Sequence, residues 1–366
     1  MTNSISQTPS YTSPLLKRPG AAPLADDSLV DSQGVAWHYG DPLGEQRAID
    51  GGAAVIDRSH RRVVAITGDD AATFLNNLLT QKLDNAADGF SADALDLNIQ
   101  GHILHQCSVT RAGDTFYLDM PSYIFEPFVD FLQKMIFWSQ VDITEKDLGI
   151  LTLLGTERPL IDDLPAAYSR VVDWDGVARI DLAVARGDLD AVVDKLIQRG
   201  AKLAGLMAFT AERVRAGEPE LRADLDERSI PHEIPRWINR GEKTRAVHLE
   251  KGCYRGQETV ARVENLGRSP RLLVLLQLDG SAPEDPAPGS DVTYGGRRIG
   301  RLGTVVHDCD YGPIALALLK RSAIEADELA ISGESPVSAK VDADFLPDEE
   351  STKAGRDAIA KLRGQN

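Results

Sequence analysis

Short apolar runs bounded by glycine, proline and aspartate turns alternate along this chain with longer stretches whose apolar residues recur every three to four positions. That mixture of a strand period and a helix period reads as an α+β protein. Strands are expected at 53–57 and 62–66, around the turn-like Arg58-Ser59-His60-Arg61, and Asp69 or Asp70 caps a helix with Phe74, Leu75, Leu78 and Leu79 on one stripe. Strands at 93–98, 103–110 and 115–119 meet at Gln100-Gly101 and Ala112-Gly113-Asp114, which makes a meander. A helix over 123–139 gathers Ile124, Phe125, Phe128, Leu132, Met135 and Ile136 on one face. Its polar face is not basic, so it suits packing on the meander rather than a membrane surface. Strands at 141–144, 150–154 and 177–184 and a helix over 189–199 suggest a second α+β unit. From 271 to 341 the pattern becomes all strand (272–278, 291–294, 298–306 and 314–319) with a loop at 281–289, as in a small barrel or sandwich.

Length and charge narrow the classes. The 366 residues suffice for two or three domains, and no run approaches the 18 apolar residues of a bilayer-spanning helix. The polar first 13 residues do not read as a signal peptide, and Cys107, Cys253 and Cys309 are too scattered for a disulfide framework, which fits a reducing cytoplasm. Lys and Arg number 40 against 56 Asp and Glu, a net charge of -16 that opposes nonspecific wrapping of nucleic acid. The charge is uneven, however. Between Arg236 and Arg271 nine basic residues face four acidic ones, a local +5 that leaves -21 on the rest and marks a candidate anion site.

Common chemical signatures are missing. There is no phosphate-binding P-loop, Gly296, Gly300 and Gly303 lack the dinucleotide spacing, and His232-Glu233 has no second histidine four residues on. Of His102, His105 and Cys107 only the last two share a strand face, and two ligands do not close a metal site, so no stably bound metal is expected. The most informative stretch is Glu250-Lys251-Gly252-Cys253-Tyr254-Arg255-Gly256-Gln257-Glu258. Beside Lys251 and Arg255 the Cys253 thiol is a candidate nucleophile or soft ligand, while the bland alternative is a buried, inert cysteine in a glycine turn.

Lys251 to Glu258 resembles the signature of the YgfZ-type folate-binding proteins, relatives of the glycine cleavage T-protein. The resemblance runs from about Trp37 to Arg321 and includes Ala54 to Ser59, Phe74 to Thr80, Leu97 to Gly101, Arg213 to Gly217, Ile230 to Glu233, Ile299 to Gly303 and Gly312 to Ala317. It implies a three-domain ring of two α+β domains with antiparallel or mixed sheets and a small C-terminal β-barrel, around a channel that holds tetrahydrofolate or a one-carbon derivative. The expected division is a disordered leader over 1–33 and a folate-binding region over 34–266. That region holds two interleaved subdomains, one at about 52–146; a barrel over 267–345 and a charged tail over 346–366 follow.

In function the resemblance implies a cytoplasmic accessory protein for iron-sulfur cluster assembly or repair that indirectly supports tRNA modification. Its partners would be folate, iron-sulfur client proteins or assembly factors and possible tRNA, with no membrane. Cys253 is then the functional thiol, and Lys251, Gly252, Tyr254, Arg255, Gly256, Gln257, Glu258 and Asn98 are the ligand-binding candidates. Two positions depart from the T-protein pattern. His105 and Gln106 stand where aminomethyltransferases carry a carboxylate, and Arg215 stands where they carry a pterin-binding glutamate, so either Glu233 substitutes or pterin binding is weak. A folate-dependent aminomethyltransferase, or another one-carbon transferase, and a tRNA-binding module are the rival readings.

Overall fold

A computed structural model describes residues 11–346, apart from 26, 156–157 and 241–242. The expected tail therefore lies almost wholly outside the described residues. In chain order the main elements are α1 (Pro42–Asp50), β1 (Ala54–Arg58), β2 (Arg62–Thr67), α2 (Ala71–Leu78), β3 (Ser91–Leu97), β4 (Ile103–Ala112), β5 (Thr115–Met120), α3 (Ser122–Lys134), β6 (Asp142–Lys146), β7 (Leu148–Leu154), β8 (Tyr168–Val171), β9 (Arg179–Ala185), α4 (Leu189–Gln198) and β10 (Lys202–Ala204). After these come α5 (Leu206–Ala216), α6 (Leu221–Asp224), α7 (Gln257–Leu266), β11 (Arg271–Leu278), β12 (Asp291–Tyr294), β13 (Arg297–Asp308), β14 (Gly312–Lys320), β15 (Leu329–Ile331) and β16 (Val337–Val341).

The strands make two five-stranded sheets, in the orders β3-β4-β5-β2-β6 and β10-β1-β7-β9-β8, and a closed barrel, β11-β14-β13-β12-β15-β16. The α+β class and the C-terminal barrel expected from the pattern are borne out. The two sheets interleave in sequence, because β1 joins β7 and β10 while its neighbour β2 joins β5 and β6. The apolar stripe of α3 packs on the meander as its period requires, with Phe125, Phe128 and Leu132 buried against Val109, Leu118 and Met120. A second cluster under β7, β9 and α4 contains Leu151, Leu182, Val193 and Leu196, and the barrel closes over Leu272, Leu276, Leu302 and Ile331.

Between the sheets, Val63 and Tyr117 of one pack on Ile150, Tyr168 and Ala183 of the other, and beside them lies an ionic contact. Arg170 on β8 reaches Asp119 of one sheet and Asp181 of the other, Arg61 also binds Asp119, and Arg179 binds Asp181 at 2.8 Å. All five side chains are buried. Burial alone would neutralise Asp119 and Asp181, yet the surrounding guanidiniums hold both below the usual carboxylate range.

One expectation changes within residues 11–33, read from composition as part of a disordered leader. Here Leu15 is fully buried in the α4 cluster, Ser13 hydrogen-bonds Asp57, and Arg18 pairs with Asp194 at 2.8 Å. Arg222 holds the carbonyls of Ser28, Leu29 and Val30. Low apolar content concealed a strap that is held mainly by polar contacts to distant residues.

Candidate functional site

Two small recesses, of about 50 and 70 Å³, lie between the sheets and share Asp93, Ser108, Arg179 and Glu218 in their walls. Strand alternation on the meander builds one wall. Gln106 and Ser108 of β4 face this space, while His105 points to Asp96 and Cys107 sinks into the α3 core. Ser108 donates to Asp93 at 2.7 Å, which fixes a carboxylate at the cavity wall. The opposite wall is aromatic and cationic, formed by Trp174, Phe209 and the Arg179 guanidinium 5.2 and 5.1 Å from their rings.

Glu218 enters this cavity because of how α5 ends. Gly217 takes φ +70, and a side chain there would meet the ends of Phe345 and Arg236 at 2.5 and 2.6 Å, so the left-handed reversal favours glycine. Arg213 then holds the carbonyl of Glu218 at 3.1 Å, and the Trp237 indole N–H reaches its carboxylate at 3.3 Å. Burial, with the Asp93 charge adding to it, pushes the Glu218 carboxyl up to about 7. Arg236, Lys243 and Arg245 converge nearby on Asp175, whose carboxyl they hold low against the effect of burial.

The Cys253 turn occupies a different place. Arg255 donates to the Leu97 carbonyl at 2.5 Å and to Asp96 at 2.6 Å, and Asp96 also binds His105 at 2.8 Å. Asp96 and Leu97 end β3, whereas Asp93 near its start faces the cavity; at about 3.3 Å per residue, four residues span roughly 13 Å. Lys251 donates to the carbonyls of Asn76 and Leu79, closing the end of α2, and lies 4.6 Å from the Tyr254 ring. Burial pulls the Lys251 ammonium down to about 8 and pushes the Tyr254 phenol up to about 12.

Gly256, at φ +81, opens α7 so close to the meander that a side chain would meet the Asn98 carbonyl at 2.6 Å. Gln257 accepts from the Tyr254 amide at 3.1 Å, Glu258 is exposed in the first helical turn, and Gly252 and Cys253 are open to solvent. The bland alternative of a buried cysteine does not apply to Cys253; it describes Cys107, whose thiol is pushed well up by burial.

The sequence candidates thus separate. Residues 251–258 form one turn, and Asn98 neighbours it but spends its side-chain oxygen on the Gln100 and His102 amides, each at 2.9 Å. Glu233 is 1% exposed and locked by Arg271 at 2.7 and 2.9 Å, with burial raising its carboxyl. Arg215 faces the barrel, pairing with Glu212 at 3.3 Å and Asp308 at 3.7 Å. Neither Glu233 nor Arg215 lines the central recesses.

His102 turns to Asn98, so it and the His105–Cys107 pair do not converge on one point. Among the described residues a metal-sized group of ligand atoms, within 4.8 Å of one another, occurs at Asp308, Cys309 and Asp310, beside the charge of Arg215. The basic segment disperses as well. Six of its nine cations meet carboxylates of Asp96, Asp175, Asp226, Glu233 or Glu264, so the local +5 does not gather at Cys253. Asp93 and Glu218, which the sequence reading missed, carry a signal only in hindsight: Glu218 follows the α5-terminal Gly217, and Asp93 pairs with Ser108 across the meander.

Residues 271–345 match the family model of the CAF17 C-terminal β-barrel domain. The chain is 24% identical over 330 residues to a putative chloroplastic transferase of Arabidopsis thaliana, covering 83% of this chain and 74% of that one. It is 25% identical over 286 residues to the tRNA-modifying protein YgfZ of Escherichia coli, covering 73% and 85%. Its fold resembles the aminomethyltransferase T of the Bartonella henselae glycine cleavage system, with a TM-score of 0.74 at 18% identity over 91% of this chain and 96% of that one. No helix among the described residues is long and apolar enough to cross a membrane.

Proposed function

Given that the chain belongs to the YgfZ-type, T-protein-like family, we propose that it binds tetrahydrofolate or a one-carbon derivative in the cavity between its two sheets. We further propose that it serves as a cytoplasmic accessory protein for iron-sulfur cluster assembly or repair, indirectly supporting tRNA modification. The observation that carries the folate reading is Glu218, a carboxylate set between Trp237 and an aromatic wall. A pterin ring presents neighbouring N–H donors that a carboxylate accepts and a guanidinium cannot, so Glu218 takes the part that Arg215 vacates. Arg236 and Arg245 of the adjoining recess, which hold Asp175 here, would exchange it for the carboxylates of a folate glutamate tail. The acceptor and the aromatic faces suit a pterin ring, and recesses of about 50 and 70 Å³ would have to widen to take a whole folate.

Cys253 would act outside this cavity, on an exposed turn open to a protein partner or a cluster. Titration calorimetry with tetrahydrofolate tests the first half: wild-type binding with at least tenfold loss in Glu218→Gln supports it, and no wild-type heat rejects it. Rescue of a strain deficient in thiomethylase activity tests the second, and full rescue by Cys253→Ala rejects it.

Asp93 favours one further reading, a folate-dependent aminomethyltransferase or other one-carbon transferase. It supplies a cavity-facing carboxylate, as Gln106 does not, that could stabilise charge developing on a folate nitrogen. Methylene-tetrahydrofolate formation from an aminomethyl-lipoyl donor, lost in Asp93→Asn, would establish it. Absence of turnover in the wild type removes it.

A further inference from the structure

The dispersal of the basic segment leaves one face whose cations lack acidic partners. Arg262 of α7 and Arg268 just beyond it make no ion pair among the described residues, and with Arg228 and Arg321 they rim a groove of about 910 Å³. The carboxylates facing this groove are already committed. Glu233 and Asp226 are both taken by Arg271, and Glu264, one helical turn from Arg268, is held by Arg240 and His232. Among the described residues the Arg321 guanidinium donates to Ser269 alone, at 3.1 and 3.3 Å, and burial together with the neighbouring Arg268 charge disfavours its cation. Like charges held together without a counterion are stabilised by an anion that bridges them.

We propose that this groove binds the phosphodiester backbone of a nucleic acid. Four guanidiniums contributed by the loop before Ser229, by α7, by the turn after it and by the end of β14 follow an extended groove, which suits repeated charges better than one small anion. Gln100, His102 and Thr259 add hydrogen-bonding groups, and Leu266, 65% exposed at the rim, offers an apolar contact to a sugar or base. The net -16 of the chain confines attraction to this face, and the groove shares no lining residue with the central recesses, so the proposal stands apart from the folate reading.

Fluorescence anisotropy of the full chain with a fluorescein-labelled RNA hairpin, and with DNA of the same sequence, tests it. Four phosphate contacts predict roughly 150-fold weaker binding to the duplex stem between 50 and 200 mM salt. Arg262→Glu with Arg268→Glu should weaken binding at least tenfold and flatten that salt dependence, at unchanged melting temperature. Should that pair unfold the protein, Arg228→Gln with Arg268→Gln replaces it, with a smaller loss expected. The RNA and DNA arms distinguish the source of the phosphates. No binding at 50 mM salt, binding indifferent to both variants, or equal affinity for poly-glutamate overturns the proposal.

Discussion

The cavity between the sheets and the Cys253 turn sit at opposite ends of the same strand, β3, yet they are built on contrary principles. The cavity is walled by buried charges that hold one another, with Arg170 and Arg179 against Asp119 and Asp181 and with Glu218 facing Asp93. The turn is anchored by single side chains, Lys251 and Arg255, reaching down to backbone carbonyls, and it leaves its thiol outside. A preorganised polar enclosure suits recognition of a defined small molecule, whereas an exposed group on an anchored turn suits a reaction with something that arrives and leaves. Changes in the first region should therefore disturb folding and ligand affinity together. Changes at the tip of the second should disturb neither.

The sharpest break is expected at the centre of the ionic junction. Arg170→Met strips the shared counterion from Asp119 and Asp181, both fully buried, and should cost about 3–5 kcal/mol in urea unfolding. A loss below about 1 kcal/mol would mean that the junction tolerates solvent and does not define the cavity.

Next in size is the anchor of the turn. Gly256→Val forces a β-branched residue to φ +81 and into the Asn98 carbonyl, which should cost about 2–4 kcal/mol. Folate affinity should fall far less than in cavity variants, because the strain lies at the far end of β3. Equal damage to both would merge the two regions into one site.

Glu218 sharpens the comparison through pH. Its folded carboxyl titrates at about 7 against 4.5 unfolded, so its contribution to stability is present below pH 4.5 and is lost as the pH rises toward 7. Glu218→Gln should remove this decline from the pH dependence of the melting temperature between 4.5 and 7. Folate affinity runs the other way: the wild type should tighten as the pH rises through 7 and the carboxylate ionises, while Glu218→Gln stays weak and flat. A wild-type affinity independent of pH would exclude Glu218 as the pterin acceptor.

How much of this could be read beforehand follows the same division. The meander, α3 and the barrel strands declare themselves because their apolar periods are clean, and the Lys251 to Glu258 turn because glycine, thiol and charge crowd into nine residues. α5 was missed: buried Glu212 and Arg213 interrupt its apolar face, Glu212 pairing with Arg215 one turn on and Arg213 with Asp224 of α6. β8 was missed for a like reason, since Arg170 faces inward where an apolar residue would signal a strand. The cavity is assembled from residues more than a hundred positions apart, so Asp93 and Glu218 acquire meaning only when the sheets meet. Summed charge misled at the turn, because a local +5 says nothing about which cations already have partners.

The smallest structural effect is expected at Cys253, and it separates the two regions most cleanly. The side chain is exposed and no hydrogen bond to it is present among the described residues, while the anchors of the turn lie at Lys251, Arg255 and Gly256. Cys253→Ser should therefore shift unfolding by less than about 0.5 kcal/mol, as surface substitutions do, and leave tetrahydrofolate affinity within about twofold. The same variant should fail to support iron-sulfur enzymes in a deficient strain, because serine offers neither a thiolate nucleophile nor a soft ligand. Loss of support with folate binding intact would assign recognition to the cavity and chemistry to the turn, whereas retained support would leave the cavity as the functional centre.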